Sequence, residues 1–467
     1  MLEEEKQGKK LPVQNLLFNH LQDLVLSGKT RQEKWRRKQL NALSSLIENH
    51  QQEILDALKQ DLGKPPTEAF FEIIAVKQEI KLAQKNLSTW MKTKPINVPV
   101  SLRPGKAFVQ PDPLGCILII GPWNYPFSLT LQPLVAAFAA GNTAVLKPSE
   151  HAPHVSSLIK NLIEKYFPIE VTQVIEGDGN IASELMKLKF DHVFFTGGEN
   201  IGKKVMEAAA KNLTPITLEL GGKSPAIVIE GANLEVTARR IIWGKSLNAG
   251  QTCIAPDHLL VENKLFDSLI SNFKRSIDNF YGDIPLNSKH LGNIINQNQF
   301  NRLNNLLKQA KKNNQIIHGG DCNEKEKKIS PTLIKIEDRN DPLMKEELFG
   351  PLLPILCIQN LDEVISDFKS LPKPLALYLF GGSDKEQEKM LSLTSSGGVC
   401  FNDVVLQAGI PELPFGGIGS SGMGKYHGKA GFENFTHFKS ILKRPFWLDL
   451  SFRYPPYKLD LSLLKKL

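Results

Sequence analysis

Gly115-Cys116-Ile117-Leu118-Ile119-Ile120-Gly121-Pro122-Trp123-Asn124-Tyr125-Pro126-Phe127 is the stretch on which the fold turns. Residues 115–120 carry no charged or strongly polar side chain and are stopped by Gly-Pro, the pattern of a strand covered on both faces. Residues 129–140 then read as an apolar helix and 143–147 as a second buried strand. The alternation continues through a helix at 155–166, a strand at 173–176, a helix from 181, a strand at 192–196, a helix at 201–211 and a strand at 216–220. Strands alternating with helices of this length build parallel βαβ units and a doubly wound sheet. Ligands of such sheets lie beyond the strand C-termini.

Upstream, residues 13–91 recur at helical spacing, as in Leu43, Leu46 and Ile47, then Ile54, Leu55 and Leu58. Gly63-Lys64-Pro65-Pro66 interrupts this layer, and Thr67 is the expected cap of a helix over 68–91. Between 95 and 113 two short β-like runs, 96–100 and 107–110, flank Arg103-Pro104-Gly105; a hairpin is predicted, its prolines suited to an edge. Downstream, residues 225–400 alternate again. Strands are predicted at 226–229, 259–261, 353–358 and 375–379, helices at 265–279 and 297–312, and a polar insertion at 321–328. From 401 the chain is rich in Gly and Pro and ends in an aromatic tail.

At roughly 100–200 residues per domain, 467 residues hold about two to four domains. With 41% hydrophobic and 23% charged residues, the composition excludes disordered, collagen-like and coiled-coil classes. The net charge of +8 is diluted along the chain: Glu3 to Glu5 precede Lys6, and Glu324 and Glu326 break the run to Lys328. Nothing combines clustered Lys/Arg with stacking aromatics, so no nucleic-acid partner is expected. The acidic N-terminus lacks a secretory apolar core, and no apolar run approaches the roughly 18 residues of a spanning helix. A cytoplasmic protein is expected. The five cysteines, at 116, 253, 322, 357 and 400, show no metal-ligand spacing, so no metal is expected and each thiol is either packing or reactive.

Gly417-Ile418-Gly419-Ser420-Ser421-Gly422 fits GxGxxG, and residues 419–425 approach a P-loop. However, 411–415 is no buried strand and Tyr426 stands where a Ser or Thr should hold magnesium, so a glycine turn is the reading. The informative segments are Gly121 to Phe127, Lys147-Pro148-Ser149-Glu150, Phe195-Thr196-Gly197-Gly198, Leu218 to Pro225, Gly250-Gln251-Thr252-Cys253, Glu346 to Pro351 and Pro414-Phe415-Gly416-Gly417. In this order, over about 13–457, they resemble the aldehyde dehydrogenase superfamily. Asn402 to Val405, Gly422 to Gly428 and Arg453-Tyr454-Pro455-Pro456-Tyr457 resemble its class 3 and fatty aldehyde dehydrogenase branch. Microsomal relatives of that branch continue into a spanning tail; with the sequence ending at Leu467, no such anchor is expected.

Cys253 stands apart from the other thiols. Cys116 and Cys357 lie in apolar strands, Cys322 in a charged loop, and Cys400 where a strand role suffices; Cys253 lies in a small polar setting before Pro256, where a turn can present a thiol without burying it. A lone Cys is ordinarily packing, and the motif is what reverses that reading. Because a free thiol is only a few per cent thiolate at neutral pH, the site must lower its pKa or supply a base. Glu219, flanked by apolar residues and glycines 34 residues upstream, is costly to bury unless used or paired. A structural ion pair is the alternative; the resemblance implies a general base. An Asn in a Pro-flanked turn is ordinarily a turn residue, whereas the resemblance implies that Asn124 and the Cys253 N–H hold an oxyanion.

The resemblance also implies an NAD or NADP site. Lys147 and Glu150 would hold a ribose, Thr196, Gly197, Gly198 and Gly202 the pyrophosphate at a helix start, and Glu347 and Phe349 the nicotinamide end, with Trp123 and Leu220 alongside. Gly198 departs from the Ser, Asn or Thr frequent in the family, which removes a side-chain contact there. Glu150 disfavours a 2′-phosphate, although the class 3 branch tolerates both cofactors.

The expected architecture is α/β. A Rossmann-like parallel-sheet NAD(P)-binding domain spans 1–95 and 114–217, a catalytic domain 218–424, and a small oligomerisation element 96–113 plus about 425–445, with a tail at 446–467. The implied reaction oxidises an aldehyde, medium- to long-chain and apolar, fatty or isoprenoid, to its acid through a cysteine thioester, in a homodimer or higher homo-oligomer. A CoA-acylating or acyl-reducing relative would keep the thiol but lack the base, and an inactive homologue would lose thiol, amide or base; all three are present. In the tail, Phe446, Trp447, Leu448, Leu450, Phe452 and Tyr454 adjoin Lys443, Arg444 and Arg453. This mixture suits peripheral membrane contact or packing on the core or a partner subunit.

Overall fold

The computed structural model describes residues 17–368, 370–457 and 462. The first residues of the predicted helical layer, 13–16, and the tail at 458–461 and 463–467 lie outside the described residues. The decisive strand forms at Cys116–Ile120 with every residue buried. Its alternation divides two cores. Ile117 and Ile119 pack with helices Glu33–Asn49, Pro66–Trp90 and Ser128–Ala140. Cys116, Leu118 and Ile120 pack with helices Phe18–Leu26 and Glu199–Ala210.

The first sheet has the order Gly422–Met423, Ile216–Glu219, His192–Thr196, Cys116–Ile120, Thr143–Lys147, Thr172–Val174. All are parallel except Gly422–Met423, a short antiparallel edge. A second sheet of seven strands runs Ile316–His318, Thr332–Ile336, Leu352–Ile358, His258–Glu262, Pro225–Val228, Ala376–Phe380, Gly398–Phe401, parallel apart from its first strand. The predicted hairpin forms, with its second strand at Lys106–Pro113, but its first strand is Lys94–Ile96 and not 96–100, since Val100–Leu102 turns into a short 3₁₀ helix behind Pro99. The hairpin gains a third antiparallel strand, Thr436–Lys443, whose lysines and alternating exposure suit an edge but conceal it from a search for apolar runs.

Thr67 is not the cap expected of the long helix. That helix starts at Pro66 behind Pro65 with no side-chain cap, so Thr67 lies in its first turn. Proline at the first helical position has its φ preset and lacks only an N–H that a helix start leaves unbonded.

Candidate active site

Ile120 pairs with both Lys147 and Phe195, and Thr196 pairs with Glu219, so the parallel strands end level. The loops after residues 120, 147, 196 and 219 therefore emerge along one edge, where such sheets take their ligands. Here Lys147 Nζ lies 2.7 Å from Glu150 Oε2. Burial alone would raise the Glu150 carboxyl, but the Lys147 bond and charge outweigh it and hold it below its ordinary range. Gly198 occupies the N-cap of helix Glu199–Ala210, no side chain caps that end, and the space in front of Gly198 is open. Gly197 N–H donates to the Glu219 carbonyl (3.0 Å). A side chain at Gly202 would come within 2.8 Å of Leu220 Cδ2, so glycine lets helix and strand end pack together.

The loop before strand Leu352–Ile358 of the second sheet meets the loop that follows Cys116–Ile120 of the first. Trp123 and Phe349 meet edge to face, ring centroids 5.2 Å apart. Gly222 N–H donates to Glu347, whose carboxyl is pushed up to about 8 by burial and then by Asp257. Asp257 fixes this segment, accepting from Leu348 N–H (2.7 Å) and pairing with Lys223, which also donates to the Leu343 and Glu346 carbonyls (2.9 Å each). Lys223 and Asp257 were not singled out from the sequence; a lysine inside the Gly221-Gly222-Lys223-Ser224 turn was the available signal. An open helix N-terminus, a neighbouring lysine and carboxylate, and an aromatic pair fit a dinucleotide's pyrophosphate, ribose and base-like ring.

The thiol sits on a tightly fastened turn. Asn248, Ala249 and Gly250 are successively left-handed (φ 54°, 54°, 77°). Gly250 is required twice over, since a Cβ there would lie 2.3 Å from the Gly350 carbonyl oxygen. The Gln251 amide donates to the Asn248 (3.0 Å) and Asn293 (2.9 Å) carbonyls and accepts from Ile295 N–H (2.9 Å). Asn124 is joined to this turn in both directions. Its Nδ2 donates to the Gln251 carbonyl (3.1 Å), and its backbone carbonyl accepts from Asn248 Nδ2 (2.8 Å). An amide nitrogen carries two hydrogens, so one remains for another acceptor. Next door, Tyr125 and Thr252 share a hydroxyl hydrogen bond (2.7 Å).

The expected exposure of the thiol needs correction. Cys253 is half-buried as a residue, but its sulfur is desolvated, and burial, then the Glu347 and Glu219 charges, push its ionisation up. The backbone N–H groups of Cys253 and Ile254 oppose this by facing the sulfur. The turn therefore does not lower the thiol's pKa, and the second route, a base, is needed. Glu219 ends its strand 3% exposed, and neither carboxylate oxygen has a hydrogen-bond partner among the described residues. Burial pushes it well above the ordinary carboxylate range. The glycine turn at 417–422 also has a place here: Gly422 pairs with Glu219 and the Ser421 carbonyl accepts from Leu220 N–H (3.2 Å), so the turn straps the strand end that bears the carboxylate.

A cysteine, a buried carboxylate with no hydrogen-bond partner among the described residues and a side-chain amide thus lie close to the strand ends that fit a dinucleotide. The chain belongs to the aldehyde dehydrogenase family, whose model matches residues 28–441. It is 44% identical over 437 residues to 4,4′-diaponeurosporen-aldehyde dehydrogenase of Staphylococcus aureus, covering 93% of this chain and 95% of that protein. It is 43% identical to the mouse dimeric NADP-preferring aldehyde dehydrogenase, covering 94% and 97%. A substrate-bound structure of Staphylococcus aureus AldH superimposes with a TM-score of 0.94 at 43% identity, covering 97% of this chain and 99% of that one. The protein is an NAD(P)-dependent aldehyde dehydrogenase similar to the class 3 branch. No helix among the described residues is long and apolar enough to cross a membrane.

Proposed function

We propose that Cys253 is the nucleophile, Glu219 the base and Asn124 an oxyanion donor in oxidation of an apolar, medium- to long-chain aldehyde, fatty or isoprenoid, to its carboxylic acid. The observation that carries this reading is the buried Glu219 carboxylate, which has no hydrogen-bond partner among the described residues and whose charge bears on the Cys253 sulfur. Glu219, made more basic by burial, accepts the thiol proton, and the sulfur adds to the aldehyde carbon. The oxygen that becomes negative is received by the spare Asn124 N–H and the Cys253 backbone N–H. Bound NAD(P), held by Lys147, Glu150, Thr196, Gly197, Gly198, Gly202, Leu220, Glu347, Phe349 and Trp123, supplies the hydride acceptor. Glu219 releases the thiol proton to solvent and, ionised again, takes a proton from water as that water attacks the Cys253 thioester; the sulfur leaves, regains a proton, and the acid is released.

An apolar substrate is supported by the surroundings of the sulfur. Cys253 shares an apolar cluster with Val404, Val405, Ala408 and Phe415, while Leu406, Ile410 and Leu413 of the same loop remain exposed. One relative's name specifies diaponeurosporen-aldehyde. Homodimerisation is supported by a relative named as dimeric and by exposed Ile96, Val100, Leu102 and Leu442 on or beside the three-stranded sheet. With this goes the proposed division into a cofactor domain (1–95, 114–217), a catalytic domain (218–424) and an oligomerisation element (96–113, 425–445). Phe446 and Trp447 are 102% and 76% exposed in the single chain, so a partner subunit or a lipid surface, not this subunit's core, is what they would meet; we take peripheral membrane contact as their role.

The test is stopped-flow appearance of NAD(P)H. Cys253→Ala should give none. Glu219→Gln should form a burst near one equivalent per site more slowly than wild type, because the thiol has lost its base, followed by turnover reduced on the order of 10²- to 10⁴-fold. Steady-state rates equal to wild type for Glu219→Gln would end the base assignment.

A further inference from the structure

Helix Pro66–Trp90 packs behind the site and contributes nothing to the chemistry above. Yet Glu68, Glu72 and Glu79 project from it at i, i+4 and i+11, a stripe within about 40° at 100° per residue. Glu72 and Glu79 are buried and Glu68 is partly so, and each accepts from the backbone of a different loop. Glu68 Oε2 takes Asn248 N–H (2.8 Å), at the left-handed turn before Cys253. Glu72 Oε2 takes the N–H groups of Phe127 (3.0 Å) and Ser128 (2.9 Å), closing the loop that bears Asn124 and capping helix Ser128–Ala140, which has no cap of its own. Glu79 Oε2 takes Gly428 N–H (2.9 Å), beside Tyr426, a buried phenol coupled to the Glu219 and Cys253 charges.

Lys64 completes the arrangement. Its ammonium and the Glu72 carboxylate are both 0% exposed and 2.5 Å apart. The ammonium also lies 3.9 Å over the centre of the Tyr125 ring, and the Tyr125 hydroxyl reaches Thr252, the neighbour of Cys253. Such a pair is a poor stabilising device, because desolvating two charges offsets most of their attraction. What it does provide is a fixed joint: one cation and one anion, each with further directional partners, between the loop of the amide and the loop of the thiol.

We infer that Lys64 and Glu72, with Glu68 on the same helical stripe, are positioning residues that set the distance between Asn124 and Cys253. The inference rests on the roles assigned above to those two residues. The experiment uses full-length enzyme and the single-turnover NAD(P)H burst, which reports acylation. Glu72→Gln and Lys64→Met are compared with wild type alongside cofactor affinity by fluorescence, and each is repeated in an Asn124→Ala background. Because either variant could fail to fold, Tyr125→Phe, which removes only the hydroxyl bonded to Thr252, is run in parallel.

The expected result is a burst rate lowered at least tenfold, and on the order of 10²-fold if the reacting groups shift by about 1 Å, with cofactor affinity unchanged. In the Asn124→Ala background the same substitutions should add little, since the donor they position is gone. An unchanged burst rate, or an equal loss in both backgrounds, overturns the inference and leaves the pair purely structural. An undiminished burst in Asn124→Ala alone would instead show that the oxyanion assignment is wrong.

Discussion

Glu79→Gln isolates the energetic cost of one of the buried acids. Glu79 is 4% exposed; one oxygen accepts from Gly428 N–H and the other has no partner among the described residues. Burial pushes its carboxyl up to about 7 from an ordinary 4.5, the Gly428 bond only partly opposing this. Between those values the folded protein holds a proton that the unfolded chain has lost, so stability falls as pH rises through the window. Linkage puts the cost of Glu79 at about 1 kcal/mol at pH 5 and about 3 kcal/mol at pH 8. Gln cannot ionise and escapes both. Whatever its NH2 loses at the unpaired position is the same at the two pH values and cancels in the difference. The variant should therefore gain about 2 kcal/mol relative to wild type on going from pH 5 to pH 8. With an unfolding entropy of about 2.1 cal/mol/K per residue, this is roughly 2 °C in Tm for a chain of this length unfolding as one unit. Thermal scans of both proteins at both pH values measure it. No pH-dependent gain, or a gain larger at pH 5, would mean that the carboxylate is solvated or paired, and the reasoning from burial would be refuted.

The Lys147–Glu150 pair bears on cofactor choice, because the acid that disfavours a 2′-phosphate is already paired with a cation. Glu150→Gln should raise the NADP/NAD ratio of kcat/KM by roughly fivefold, the equivalent of about 1 kcal/mol for removing one exposed charge near 4 Å; an unchanged or lower ratio would contradict it. Truncation after Pro445 removes exposed Phe446 and Trp447 together with Arg453. Co-sedimentation with anionic liposomes should fall while the circular dichroism spectrum is retained, and binding equal to full length would leave the aromatic tail to a partner subunit.

The parallel sheet was legible because its strands are short apolar runs separated by helices, and runs such as Cys116–Ile120 need only their own composition to be read. The residues proposed for the site were singled out for a related reason. Cys253, Glu219, Asn124 and most of the proposed cofactor residues sit at a strand end or turn, where local sequence already departs from packing patterns; Gly202 lies in helix Glu199–Ala210. What local sequence could not supply was the environment. A polar Gly-Gln-Thr flank suggests an open thiol, but the cover over Cys253 comes from residues near 124, 347 and 415, far away along the chain, so its desolvation could not be read there. Strand Thr436–Lys443 was missed for the converse reason, being as polar as a loop.

The acids of helix Pro66–Trp90 show where such reading stops. Glu68, Glu72 and Glu79 in a lysine-containing helix look like a solvated face. The discordant signal was position: Glu72 and Glu79 fall on the stripe of Ala69, Ile73, Val76, Ile80 and Ala83, all buried. Acids on an apolar stripe need donors, and a helix interior has no N–H to spare. Their partners therefore had to come from loops elsewhere, and those partners lie 180, 55 and 349 residues away. A loop that donates such a bond gives up solvent for a buried carboxylate that tolerates no other position, and two of the three loops so held, those of Asn248 and Phe127, are the ones that carry Cys253 and Asn124.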